Sequence, residues 1–296
     1  MSLRGFLEKL KTEGKLREIK KHLSPVYEVS AAVGKEPALF TNVKGSKVAM
    51  NILASRELLA EALGVSTDGI IEYISSHPPD GDVKVVKDSS TKEIAVKPDL
   101  TKLPILTHFE GDGAPYITAG VVVSEYEGVM NASIHRLRVI GKDKLAARLV
   151  EFRHTYNLYK KAQEDGKALP VAIVIGIDPV TLFAVSTRVP EGKEFNYASA
   201  LSGEPIELFE CENGIRVPHA EIVLEGYIHP TELVDETLDA LIPAGEAAGV
   251  HQILPDRFGV AASGEAHFDR IPMRFAGAGR WAATRLRRGP CLRGSI

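Results

Sequence analysis

Residues 117–152 read ITAGVVVSEYEGVMNASIHRLRVIGKDKLAARLVEF. Gly128 and the Lys142-Asp143 pair break this stretch at hairpin spacing, which predicts three consecutive antiparallel strands. Beyond it, residues 156–165 predict a helix. LPVAIVIGI (169–177) is a continuous apolar run, the pattern of a strand buried on both faces. AEIVLEGYI (220–228) predicts one more strand. Residues 106–236 therefore read as a β-rich domain carrying one or two helices. Upstream, Leu3, Phe6, Leu7 and Leu10 recur on one side of a short helix that stops at Gly14. ALFTNVKGSKVAMNIL (38–53) predicts two strands around a Gly-Ser turn, and RELLAEALG (56–64) a helix ended by Gly64. Residues 1–105 thus read as an α/β layer domain, and the chain as α/β of the α+β kind.

Composition narrows the function classes. The chain has 296 residues, 44% hydrophobic and 25% charged, a globular mix with room for two domains. Its longest apolar run, Val171–Ile177, stops at Asp178, far short of the ~18 residues that a membrane helix needs. Two cysteines, Cys211 and Cys291, make neither a disulfide framework nor a thiolate zinc site. A net charge of −3 gives a nucleic-acid polyanion no electrostatic reason to bind. The expected setting is the cytoplasm, with no membrane span and no nucleic-acid partner. Residues 237–296 stand apart: they hold 8 Arg and no Lys, whereas residues 1–236 hold 9 Arg and 19 Lys. Ala, Gly and Arg fill 27 of those 60 positions, and no apolar period is sustained. The segment reads either as an Arg-rich surface tail or as non-native sequence after a deletion or frame change, and in both cases as loosely packed.

The residues that could carry chemistry cluster in the opening stretch. On a strand, Asn131, Ser133 and His135 project to one face, while Arg136 and Arg138 project to the other. Arginine in a domain interior needs an anion to offset its desolvation, so an anion or cofactor site is one reading. An edge strand with two solvated arginines is the other. Arg148, Arg153 and His154 follow closely, and converging arginines suit a phosphate or carboxylate. An Asn, a His and a Glu (Asn131, His154 and Glu194) would form a hard N/O site suited to Mn²⁺ or Mg²⁺, although spacing alone does not bring them together. Glu221 and Glu225 share a strand face by parity, and paired carboxylates can do acid–base work or simply form a charged face. The chain contains no Walker loop, no Gly-x-Gly-x-x-Gly after a strand, no Gly-x-Ser-x-Gly elbow and no His-Glu-x-x-His.

NASIHRLRVIGKDKLAARLVEFRH, followed by GKEFNYASALSGEPIELFECENGIRVPHAEIVLEGYI, resembles the UbiD family of decarboxylases that use prenylated FMN. DLTKLPILTHFEGDGAPYITAGVVV resembles the family's entry into its flavin domain. The likeness covers about residues 1–236 and is greatest to the archaeal branch. It implies a split β-barrel flavin-binding domain over 106–236. By resemblance, Asn131 and Glu194 are metal ligands, and His154 falls where some members supply a third. The implied metal is Mn²⁺, bridging protein and cofactor phosphate, with K⁺ as a further candidate ion. Ile134, His135 and Arg136 match a first cofactor-contacting strand, and Arg148, Leu149 and Val150 a second, with Arg153 and His154 just after it.

Arg136 also matches the catalytic arginine, and Glu236 the first acid of a Glu-Arg-Glu network. The implied reaction is non-oxidative decarboxylation of an α,β-unsaturated acid. The first substrate is trans-anhydromevalonate 5-phosphate, giving isopentenyl phosphate; the alternative is 4-hydroxy-3-polyprenylbenzoate or another aromatic acid. Implied partners are the small carboxylic acid, a flavin prenyltransferase that supplies the cofactor, and further copies of the chain. After Glu236, family members continue Glu-Gly-Pro-(Phe/Tyr)-x-(Asp/Glu), whereas this chain reads Glu236-Thr-Leu-Asp-Ala-Leu241. Leu241 replaces the proton-donating acid, so a weakly active or inactive flavin-binding remnant is a further expectation. A simple metal- or anion-binding module is the reading from outside the enzyme class.

Overall fold

The computed structural model describes residues 1–234, together with strands at 250–260 and 273–274. The N-terminal elements are α1 (Leu3–Thr12), β1 (Arg17–Ile19), α2 (Glu28–Ala32), β2 (Ala38–Val43), β3 (Ser46–Met50), α3 (Arg56–Leu63) and α4 (Ile70–Ser76). Next come β4 (Val83–Val86), β5 (Ile94–Val96), β6 (Tyr116–Tyr126), β7 (Val129–Val139), β8 (Leu145–Arg148) and α5 (His154–Glu164). They are followed by β9 (Leu169–Ile175), α6 (Pro179–Ala184), α7 (Glu194–Ser202), β10 (Ile206–Glu210) and β11 (Arg216–Pro218). β12 (Ile222–Val234), β13 (Val250–Val260) and β14 (Met273–Arg274) close the order.

Local chemistry accounts for the N-terminal elements. The Ser2 hydroxyl caps α1 by accepting from the Gly5 amide at 3.1 Å, and Lys9 and Lys11 sit in its last turn, where the helix dipole favours cations. Its four apolar residues are all buried, as their spacing predicts. β2 and β3 form the expected hairpin, but the turn lies one residue earlier than a Gly-Ser reading places it. Lys44 (φ 54°) and Gly45 (φ 71°) make it, and Ser46 already belongs to β3. Both central residues need positive φ, as a type I′ turn requires.

Six strands form a closed ring. β7 pairs with β6, β6 with β9, β9 with β12, β12 with β13, β13 with β8, and β8 with β7, all antiparallel. Strand alternation divides the side chains between two cores. Val122, Leu137, Leu145, Val171, Ile173 and Leu224 fill one, into which α5 inserts Leu158, Tyr159 and Ala162. Val121, Val123, Ala132, Ala172 and Val174 face the other, against Phe6 and Leu10 of α1 and Phe195 of α7. Fully burying a side chain such as Phe6 contributes about 1.5–3 kcal/mol, so α1 is bound firmly to the outside of the ring. A bidentate ion pair from Arg4 to the buried Glu221, at 2.6 and 2.7 Å, ties the same helix to the start of β12.

Three further findings differ from the sequence reading. The third hairpin strand ends at Arg148 instead of running through Phe152, because Phe152 adopts φ 63° and turns the chain into α5. Residues 250–260, read as lacking an element, form β13, paired with β12 and β8. The short strands β4 and β5, although they precede residue 105, pair with β10 and β13 respectively. A pattern of isolated short apolar stretches does not disclose such distant partners.

Gly81, just before β4, is wedged against α7. A Cβ there would lie 2.4 Å from the Ala200 amide nitrogen and 2.7 Å from the Asn196 carbonyl oxygen, both backbone atoms. Asn196 Nδ2 also donates to the Gly81 carbonyl at 2.7 Å. Gly81→Ala is therefore expected to destabilise the protein by about 3 kcal/mol, at the upper end for overpacking. Thermal unfolding checks this, and an unchanged melting temperature would show that the contact yields easily.

Candidate functional site

Among the described residues, β7 pairs with β8 over Leu137–Val139 alone, so its first half has β6 on one side and no described strand on the other. Two helix N-termini cover that edge. α5 begins at His154 and α7 at Glu194. Gly192, at φ 75° and with its Cβ position 3.4 Å from the Met130 carbonyl oxygen, lets the chain turn closely past β7 into α7. The Ala132 amide on that edge and Glu194's own amide both favour the ionised Glu194 carboxylate. A carboxylate in a helix's first turn also suits the dipole. Glu194 is only 5% exposed, and burial is the dominant influence on it, pushing its carboxyl above the ordinary carboxylate range. His154 Nδ1 stands 3.7 Å from Glu194 Oε1.

Asn131, 2% exposed, lies beside Ala132 and across from Thr155. Its Nδ2 donates to Thr155 Oγ1 at 2.8 Å and to Ser133 Oγ at 3.1 Å. His135, on the same strand face, contacts both hydroxyls through Nε2, at 3.0 and 3.2 Å. Its Nδ1 lies 3.4 Å from the Arg148 carbonyl, and desolvation holds the imidazole below its usual pKa range. Asn131, Ser133, His135 and Thr155 thus form one hydrogen-bonded set, and His154, the neighbour of Thr155 in α5, stands beside Glu194. Among the described residues, no three of His, Cys, Asp and Glu come together as a metal cluster. A cation here would use one His, one Glu and an amide oxygen. That donor set is hard, and a divalent ion would supply positive charge to a buried carboxylate that His154 and two amides satisfy only in part.

The other residues singled out from sequence are distributed differently. Arg136 is exposed on the opposite face of β7, its guanidinium carbon 5.3 Å from the Tyr116 ring centroid. Ile134 packs partly against the core shared with α1. Arg148, Val150 and Arg153 are exposed around the turn into α5, whereas Leu149 is buried in the barrel core. Of the proposed second contact strand, only Arg148 lies in a strand. Glu221 is held by Arg4, and Glu225 accepts the Glu212 amide at 2.8 Å, so these two carboxylates serve packing instead of facing one another. Glu236 and Leu241 lie outside the described residues. Thr155 and the Ala132 amide were not visible as site groups. A lone threonine at a helix start carries no spacing signal, and a backbone amide has no residue letter.

Two family models cover most of the chain. Residues 7–77 match the 3-octaprenyl-4-hydroxybenzoate carboxy-lyase N-terminal domain, and residues 83–260 match its Rift-related domain. The chain belongs to the UbiD family. As a UbiD protein it is 62% identical over 239 residues to an anhydromevalonate phosphate decarboxylase of Methanosarcina mazei. That likeness covers 80% of this chain and 57% of the relative, so the chain spans little more than half the relative's length. The UbiD-class enzyme HmfF from Pelotomaculum thermopropionicum, solved in complex with FMN, superposes with a TM-score of 0.83 at 34% identity, covering 93% of this chain and 65% of that one. An evolved dimeric form of HmfF, solved with prFMN, gives 0.83 at 33%, with 93% and 68% covered. These likenesses agree with the mixed α+β architecture and the curled antiparallel sheet described above. Among the described residues, no helix is long and apolar enough to cross a membrane.

Proposed function

We propose that this UbiD chain takes part in the non-oxidative decarboxylation of trans-anhydromevalonate 5-phosphate to isopentenyl phosphate. The observation that carries this reading is the 62% identity to the Methanosarcina mazei decarboxylase over 239 residues. Asn131, His154 and Glu194 would hold a divalent cation, with Mn²⁺ the first candidate and K⁺ a companion ion to test. The exposed arginines Arg148 and Arg153, beside the uncapped N-terminus of α5, offer charge and free amides to a cofactor phosphate. By the family likeness Ile134, His135, Leu149 and Val150 would also contact the cofactor, Leu149 through its backbone because its side chain is in the core.

Prenylated FMN, when bound, supplies the electron sink that loss of CO₂ from an unsaturated acid demands. The task of this chain's own residues is orientation. Arg136, with its planar fork, would grip the substrate carboxylate bidentately while Tyr116 supports the guanidinium from one side. Glu236 is the residue we assign to proton handling. A prenylated hydroxybenzoate is the second reading, favoured by the family description's own aromatic substrate.

Co-expression with a flavin prenyltransferase, followed by measurement of flavin absorbance and CO₂ release, tests the proposal. Flavin retention with release from the phosphorylated acid is the expected outcome. Release from the aromatic acid alone would transfer the assignment to it. Flavin without release would identify a cofactor-binding remnant, and neither signal would leave a metal- or anion-binding module.

A further inference from the structure

Four polar side chains at the first half of β7 form a hydrogen-bonded set whose donors and acceptors can be counted. Asn131 Nδ2 contacts both hydroxyls, Ser133 Oγ at 3.1 Å and Thr155 Oγ1 at 2.8 Å. The hydroxyl oxygens lie 3.1 Å apart, and each is within reach of His135 Nε2, at 3.0 and 3.2 Å. His135 Nδ1 faces the Arg148 carbonyl, which can only accept, so Nδ1 carries the proton and Nε2 presents its lone pair. One hydroxyl proton must go to Nε2. The other joins the two hydroxyls. Both hydroxyl protons are then used, and the oxygens can still accept. The Asn131 amide fills that need with the two protons of Nδ2. The opposite amide orientation would set Oδ1 against two hydroxyls with only one proton between them.

We propose that Thr155, Ser133 and His135 fix the direction of the Asn131 amide, so that Oδ1 faces away from them as a preset ligand for a divalent cation. This rests on reading Asn131, His154 and Glu194 as the cation site. Thr155 and His135 are then positioning residues. The polarity of the set is anchored at a backbone carbonyl, which makes it a property of the fold. Thr155 is 2% exposed, so it is not free to rearrange into solvent. Outer partners that hold a metal ligand in place commonly contribute 10–100-fold to affinity.

The test is binding of Mn²⁺ alone to the full chain, read from the electron paramagnetic resonance signal of the free ion. The wild type should bind saturably. Thr155→Val keeps the shape but removes the hydroxyl, and should weaken binding at least about 10-fold. Thr155→Ser restores the hydroxyl and should fall within about threefold of wild type, an effect well below that of losing an outer partner. Val binding as tightly as wild type, or Ser as weakly as Val, would overturn the proposal. If circular dichroism shows Thr155→Val unfolded, Ser133→Ala decides: a loss of about 10-fold supports the network, and wild-type affinity rejects it. A wild-type chain that binds no Mn²⁺ would remove the cation site itself and the network's role with it, an outcome distinguishable because the unsubstituted protein fails.

Discussion

Glu194→Gln is expected to lower Mn²⁺ affinity at least about 100-fold, a loss of ~2.7 kcal/mol, and to stabilise the metal-free protein at neutral pH. Glutamine retains the size and an oxygen acceptor but removes the charge. For the cation this is the loss of its only anionic ligand in the proposed set. For the metal-free fold it is the relief of a buried charge, since burial is the main influence on Glu194 and raises its carboxyl above the ordinary value of 4.5. Between 4.5 and that raised value the folded state binds more protons than the unfolded state. Stability therefore falls as pH rises through this window, and the full penalty is present above it. The gain from Glu194→Gln should be present at neutral pH and vanish below about 4.5. Thermal melts of both proteins from acid to neutral pH, with chelator present, measure it. A difference that is absent, or that does not change with pH, would contradict the buried, ionising carboxylate. Flavin retention measured alongside should fall with Mn²⁺ affinity if the ion bridges protein and cofactor.

Arg136→Lys should reduce CO₂ release at least about 100-fold in protein loaded with prenylated FMN and Mn²⁺, while changing stability by no more than about 0.5 kcal/mol. The two halves follow from different facts. Arg136 is exposed with its guanidinium beside the Tyr116 ring, a position a lysine ammonium can also take, so the fold is expected to lose little when the side chain changes. Lysine keeps the charge but presents a compact ammonium, which cannot bind both oxygens of a carboxylate in one plane. Steady-state turnover of the unsaturated acid, together with a melt, separates the effects. Wild-type turnover in the lysine protein would remove the bidentate role. A large drop in melting temperature would instead mark Arg136 as structural.

Much of this architecture was legible in the residues. Strand and helix periods are local, so α1, the β2–β3 and β6–β7 hairpins and the buried strand β9 could be read directly. The family likeness rested on motifs such as Asn131 to Arg136 and VPHAEIVLEG, and it selected a flavin-binding barrel before any strand was paired. Which residues of β7 share a face was also determined by the sequence, because the period of a strand is two.

Other features needed the tertiary structure. Ring closure depends on pairings between residues far apart, such as Ile222 with Val260, and no local period encodes them. The same holds for β4 and β5, which find their partners more than a hundred positions away. The approach of His154 to Glu194 depends on two helix N-termini meeting at the part of β7 that β8 does not reach. Glu221 and Glu225 looked alike by parity, yet one is held by Arg4 and the other by a turn amide, because what a carboxylate faces is set by the neighbouring element and not by its own strand. Sequence determined the parts and their faces. The three-dimensional meeting of distant edges decided which polar groups are buried together, and so which of them the proposed cation site draws on.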